Sequence, residues 1–172
     1  MIPYIGEYKR YRRLLEGSLR QLTDDEFFRV LSPSSNSVAI ILKHISGNWH
    51  SRFTNFLTSD GEKPWRNRES EFDVTGLSRE ELMAYWQGAW DILETNVFAL
   101  GEADMKTPIT IRGVTLSVEE ALCRSLSHFS YHVGEIVFLA KHFKGDDWEY
   151  LSIAPGKSDE YNANPTSEVL RS

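Results

Sequence analysis

One cysteine, Cys123, is too few for an internal disulfide, so the fold does not depend on an oxidising compartment and the cytoplasm is the expected location. No stretch approaches the roughly 18 apolar residues of a membrane span, and the segment from Met1 to Arg10 lacks the apolar centre of a signal peptide. A basic excess is missing too. Against 25 Asp and Glu stand 19 Lys and Arg, for a net charge of -6 and a pI near 5.4, so neither nucleic acid nor membrane is an expected partner. Internal repeats and low-complexity runs are absent. What is present is 172 residues, 41% hydrophobic and 12% aromatic, enough for one globular domain over 1–172 with its own core. Its charge is uneven: residues 1–22 hold five basic side chains against two acidic, and residues 144–172 hold three against six. Both read as solvated faces, and their opposite signs suit contact within a homodimer.

Apolar residues at Tyr4, Tyr8, Tyr11, Leu15, Leu19 and Leu22 recur at helical spacing and predict a first long helix. Thr23 and Glu26 then stand in capping-box spacing ahead of a short turn with Phe27 and Phe28, which Ser32-Pro33 ends. The cluster Ser34 to Ser37 offers an N-cap for a second long helix with the stripe Val38, Ile41, Ile45, Trp49, Arg52 and Phe56. From Thr58 to Gly76 the pattern lapses into a long surface connection of a length that invites a functional reading. Ser78 and Glu81 cap a third long helix through Leu100, with Gly101 as its stop. Ile109-Thr-Ile111, Arg112-Gly113 and Val114-Thr-Leu116 predict a small hairpin. Ser117 and Glu120 cap a fourth long helix to about Lys144. The result is an all-α four-helix bundle with a small β-hairpin before the last helix, and a tail, 145–172, that packs back through its aromatic and aliphatic residues.

His128 and His132 are four apart on the fourth helix and lie about 40° from each other on one face. Such a pair can bind one metal ion, and the alternative is two separate histidines at the core edge. A third ligand has to come from another helix. His44, mid-way along the second long helix at the border of its stripe, is the candidate, against a half-buried histidine bonded to a carbonyl. Glu135 falls on the His128 side and reads as a fourth ligand, an outer acceptor, a general base or a plain solvated carboxylate. His50 projects away from its helix stripe and is expected to be solvated without function, His142 suits the helix C-terminus, and Cys123 points away from the histidine face. Trp49, Trp65 and Trp86 are either pocket walls or core.

The order of three segments is distinctive: Leu42-Lys-His44-Ile-Ser-Gly-Asn48, then Thr107-Pro-Ile-Thr-Ile-Arg-Gly-Val-Thr-Leu-Ser117, then Ser127-His128-Phe-Ser-Tyr-His132-Val-Gly134. It resembles the DinB-like superfamily of metalloenzymes, in particular a branch with the same Trp65-Arg-Asn-Arg68 loop and Leu151-Ser-Ile153 tail, over almost the whole chain. The resemblance implies up-down-down-up connectivity, a homodimer, and a divalent ion held by His44, His128 and His132. Some relatives of this kind are thiol-dependent S-transferases or isomerases that use bacillithiol, mycothiol or glutathione. Many place an amide side chain soon after the final histidine, where this chain has Glu135. The expected function is thus a divalent-metal-dependent transferase or hydrolase with zinc or nickel at three histidines, Glu135 managing protons, and a small molecule such as a low-molecular-weight thiol as partner. The rival is a non-catalytic bundle that binds a metal or small ligand. Three ligands leave coordination positions open, whereas a structural zinc site is normally closed by four.

Overall fold

Four short polar side chains decide where helices begin. Thr23, Ser37, Ser78 and Ser117 each accept a hydrogen bond from the backbone N–H three residues on. At three of these caps Glu26, Glu81 and Glu120 return the bond to the cap's own N–H at 2.7–2.8 Å. In the computed structural model, which describes residues 3–165, these caps open α2 (Asp24–Phe28), α3 (Val38–Phe53), α4 (Arg79–Val97) and α5 (Val118–Lys144), which follow α1 (Pro3–Gln21) and precede a short α6 (Ser158–Ala163). The chain is therefore an all-α bundle of four main helices, α1, α3, α4 and α5. Helix α3 stops three residues short of Phe56, with Thr54 already extended at φ -64° and ψ 122° and Asn55 left-handed at φ 50°, yet Phe56 still packs on Phe53 with ring centroids 5.3 Å apart. The hairpin pairs β1 (Pro108–Ile111) with β2 (Val114–Ser117), Ile109 opposite Leu116. Its two turn residues, Arg112 and Gly113, have φ of 54° and 74°, as a two-residue hairpin turn of type I′ requires.

Residue pairings fix the helix directions. Tyr8 bonds the Leu122 carbonyl and Tyr11 lies against Phe129, so α1 and α5 run parallel. Arg12 sits over Trp90 and Lys9 over Phe98, so α4 opposes α1. His44 adjoins His132 while Trp49 adjoins Phe129, so α3 opposes α5. The connectivity is up-down-down-up, and α3 and α4 are parallel neighbours. No tight turn can join parallel helices, so after the 16 residues of α3 the chain has to travel back about 24 Å. Residues 54–78 make that return. They are pinned to α3 as they pass: Ser51 Oγ donates to the Gly61 carbonyl at 2.8 Å, and Lys43 Nζ donates to the Ser70 carbonyl at 2.8 Å. A 3₁₀ turn, Glu69–Phe72, rides against the helix.

The core is aromatic. Trp49 is fully buried, with the rings of Phe129, Trp86 and Tyr8 at 4.6, 5.3 and 5.6 Å. Each such ring removes on the order of 150–250 Å² from water, which makes this cluster a large apolar contribution to stability. Beyond α5, Trp148 is buried, Leu151 packs on Gly17, and Gln21 exchanges two hydrogen bonds with the Glu149 backbone at 2.8 and 3.0 Å. Tyr150 and Ile153 stay exposed. The end of the expected tail, residues 166–172, lies outside the described residues. Among the described residues no helix is long and apolar enough to cross a membrane.

Candidate metal centre

His44 on α3 and His128 and His132 on α5 come together where the two antiparallel helices face each other. His128 Nε2 lies 3.3 Å from His44 Nε2 and 3.1 Å from His132 Nε2, and one nitrogen from each ring falls within 4.8 Å of the others. His44 and His132 are buried and His128 is partly exposed. Two ligands each about 2.05 Å from a tetrahedral zinc ion stand about 3.3 Å apart, so the two short separations fit a shared ion.

The far side of two rings is held by carboxylates. His44 Nδ1 is 2.8 Å from Glu71 Oε2, and His132 Nδ1 is 2.6 Å from Glu135 Oε2. A carboxylate at Nδ1 draws the ring proton there and leaves Nε2 as a bare lone pair aimed at the cluster, which is the tautomer a metal ligand needs. Of the roles open to Glu135, the geometry matches the outer acceptor. Glu71 escaped sequence reasoning entirely. It comes from the 3₁₀ turn of the return segment, is itself buried, and is gripped by Arg66 through Nε–Oε1 at 2.8 Å and Nη2–Oε2 at 3.0 Å. Arg66 also reaches Glu62, which lies 3.1 Å from Arg52 and 3.0 Å from Arg112. The turn approaches closely enough because residue 47 is glycine: a Cβ there would stand 2.6 Å from Glu71 Oε1. A glycine in mid-helix followed by a long loop was the available signal.

Protonation follows from this setting. Burial, then the neighbouring His132 and His44, push His128 down to about 4, so the ring is neutral at pH 7 and free to donate its lone pair. His132 is also lowered, by burial, with Glu135 opposing. Burial alone would raise Glu71, but hydrogen bonds from His44 and Arg66 outweigh it and hold the carboxyl below its ordinary range.

Other expectations meet different outcomes. His50 is half-buried rather than fully solvated: Nε2 donates to the Tyr85 carbonyl at 3.2 Å and the ring stacks on Tyr85 at 4.5 Å, because α3 packs on α4 as well as α5 and its buried arc is wider than one stripe. Trp49 and Trp86 belong to the core and Trp65 is 58% exposed, so none walls the histidine cluster. Cys123 is exposed and does not line the cleft beside the cluster.

Fold and site together define a four-helix-bundle protein with a three-histidine cluster able to hold a metal ion. The chain belongs to the DUF1572 family, described as proteins of unknown function, whose model matches residues 3–157, in keeping with the DinB-like resemblance. No curated protein and no solved structure is significantly similar to it.

Proposed function

We propose that the protein is a divalent-metal-dependent enzyme, a hydrolase or thiol-dependent transferase, with His44, His128 and His132 as ligands. The observation that carries this reading is the convergence of three Nε2 atoms, two of their rings backed by carboxylates, with three protein ligands among the described residues and a cleft beside them. When bound, a dication held by neutral imidazoles supplies Lewis acidity toward a water or thiol nucleophile. The chain's own residues do the rest. Glu71 and Glu135 fix the tautomer and aim of His44 and His132, and Arg66 locks Glu71 in place. Glu135 acts through His132, as a positioning residue that takes up part of the charge on that ring. Zinc and nickel both suit an all-imidazole donor set.

Elemental analysis of untagged protein purified without chelators tests this directly. One equivalent of zinc or nickel in the wild type, lost in His128→Ala and His132→Ala, is the expected result. A wild type that binds neither ion at saturation removes the mechanism. Metal occupancy with no turnover on esters, amides or thiol acceptors assigns the protein to the ligand-binding class instead.

A further inference from the structure

A guanidinium-lined cleft opens beside His44 and His128, and of its charges the metal reading accounts for Arg66 alone. Arg52, Arg66, Arg68, Arg112 and Arg124 border a space of about 220 Å³, and among the described residues no carboxylate does. In a chain of net charge -6 this concentration runs against the overall balance. The five differ in how much of their hydrogen-bonding capacity is already engaged. Arg66 is 3% exposed and bonds Glu71 and Glu62 with three nitrogens. Arg52, 12% exposed, lies against the same Glu62. By contrast Arg112 gives only Nε to Glu62, Arg68 meets only the exposed Glu69, and Arg124 has no ion pair among the described residues.

Those three come from three separate elements, each fixed in place. Arg112 occupies a hairpin-turn position where Asn, Asp or Gly is preferred, and Asp60 clamps the turn by accepting the Arg112 and Gly113 N–H groups at 2.8 and 2.9 Å. Arg68 lies over the Phe72 ring at 5.1 Å, and Phe72 in turn stacks on His44 at 5.1 Å. Arg124 stands four residues before His128, on the same side of α5. We infer that the cleft is a substrate subsite for a small molecule carrying an oxyanion group, a carboxylate or phosphate, held by Arg68, Arg112 and Arg124 next to the histidine cluster. This deepens the metal-centre reading and rests on it for the chemistry that follows binding. The planar, permanently charged guanidinium fork matches the two oxygens of such a group. Phe53, Phe56 and Ile111 offer apolar wall for a carbon skeleton. The space is below the roughly 300–1,000 Å³ of pockets for drug-sized ligands, so the substrate is small.

Equilibrium binding of inorganic phosphate and of succinate to the full-length protein, metal-free and zinc-loaded, at low ionic strength tests the inference. Saturable binding of at least one anion is expected, weakened roughly tenfold or more in Arg124→Gln and Arg112→Asn. Arg112→Asn keeps the turn, because Asn accepts positive φ. Arg13→Gln, on an exposed position of α1, is expected to change nothing. Tighter phosphate points to a phosphorylated substrate and tighter succinate to a carboxylate. Anion binding that survives in a protein unable to take up zinc supports the subsite and removes the metal reading alone. Zinc uptake without saturable anion binding, or anion binding indifferent to the Arg124 and Arg112 changes or equally weakened by Arg13→Gln, overturns the subsite.

Discussion

A glycine inside a helix ordinarily costs about 1 kcal/mol relative to alanine, yet Gly47 sits near the middle of α3. The space for a methyl group is taken by the Glu71 carboxylate, which Arg66 and His44 hold from two sides and which therefore cannot swing away without breaking those bonds. Gly47→Ala is expected to reverse the usual propensity gain and destabilise by about 1–3 kcal/mol. Denaturant unfolding with and without zinc would show both that loss and weaker zinc binding, as Glu71 is displaced from His44. Glu71→Gln keeps the shape and an acceptor but removes the charge, and should lower zinc affinity about 10- to 100-fold with the fold retained. Glu135→Gln should be milder, since its side chain is 36% exposed and water can replace it. A Gly47→Ala protein that is more stable and binds zinc normally would mean that Glu71 does not orient His44.

At the scale of elements, the return segment 54–78 couples bundle topology to the site. Parallel α3 and α4 force the chain to run back along α3, and that course carries Arg66 and Glu71 past His44. Arg66→Met removes the cation between Glu62 and Glu71, leaving the buried Glu71 with His44 as its remaining side-chain partner. Breaking a buried pair in this way costs about 3–5 kcal/mol. Hydrogen exchange should report the loss locally, as faster exchange across 54–78 with the α1–α5 pair still protected. This segment also marks the limit of what the sequence discloses. Caps such as Ser117 with Glu120 are local, satisfied within one turn, and so the helices are legible. His128 and His132 are legible for the same reason, being four apart on one helix. Glu71 is 27 residues from His44, in a stretch with several carboxylates and no periodicity, and only the up-down-down-up path selects it. The partner of His50, Tyr85 on α4, is hidden by the same gap: a helix wheel does not reveal how many neighbours a helix has.

For the whole molecule, the burial of imidazoles makes stability depend on pH with a definite sign. His128 is held near 4, and His132 and His50 are also lowered by burial, while in the unfolded chain each takes a proton near 6.5. Between about 6.5 and 4 the unfolded state therefore binds more protons than the folded one. The stability that neutral, buried imidazoles permit is complete above 6.5 and is lost as pH falls toward 4. Carboxylates held low, Glu71 among them, add a further loss only as pH drops through their own lower range. Chelated protein is accordingly expected to show a falling Tm from pH 7 to pH 5, with a shallower fall in His128→Ala. Zinc opposes protons for the lone pairs of His128 and His132, so at pH 7 and about 100 times its Kd it should add about 2.7 kcal/mol, an increment that shrinks as pH is lowered. A chelated protein whose Tm is flat from pH 7 to pH 5 would show that the rings of His128, His132 and His50 remain hydrated in solution, and a zinc increment that did not shrink over the same range would place the ion on groups other than imidazole.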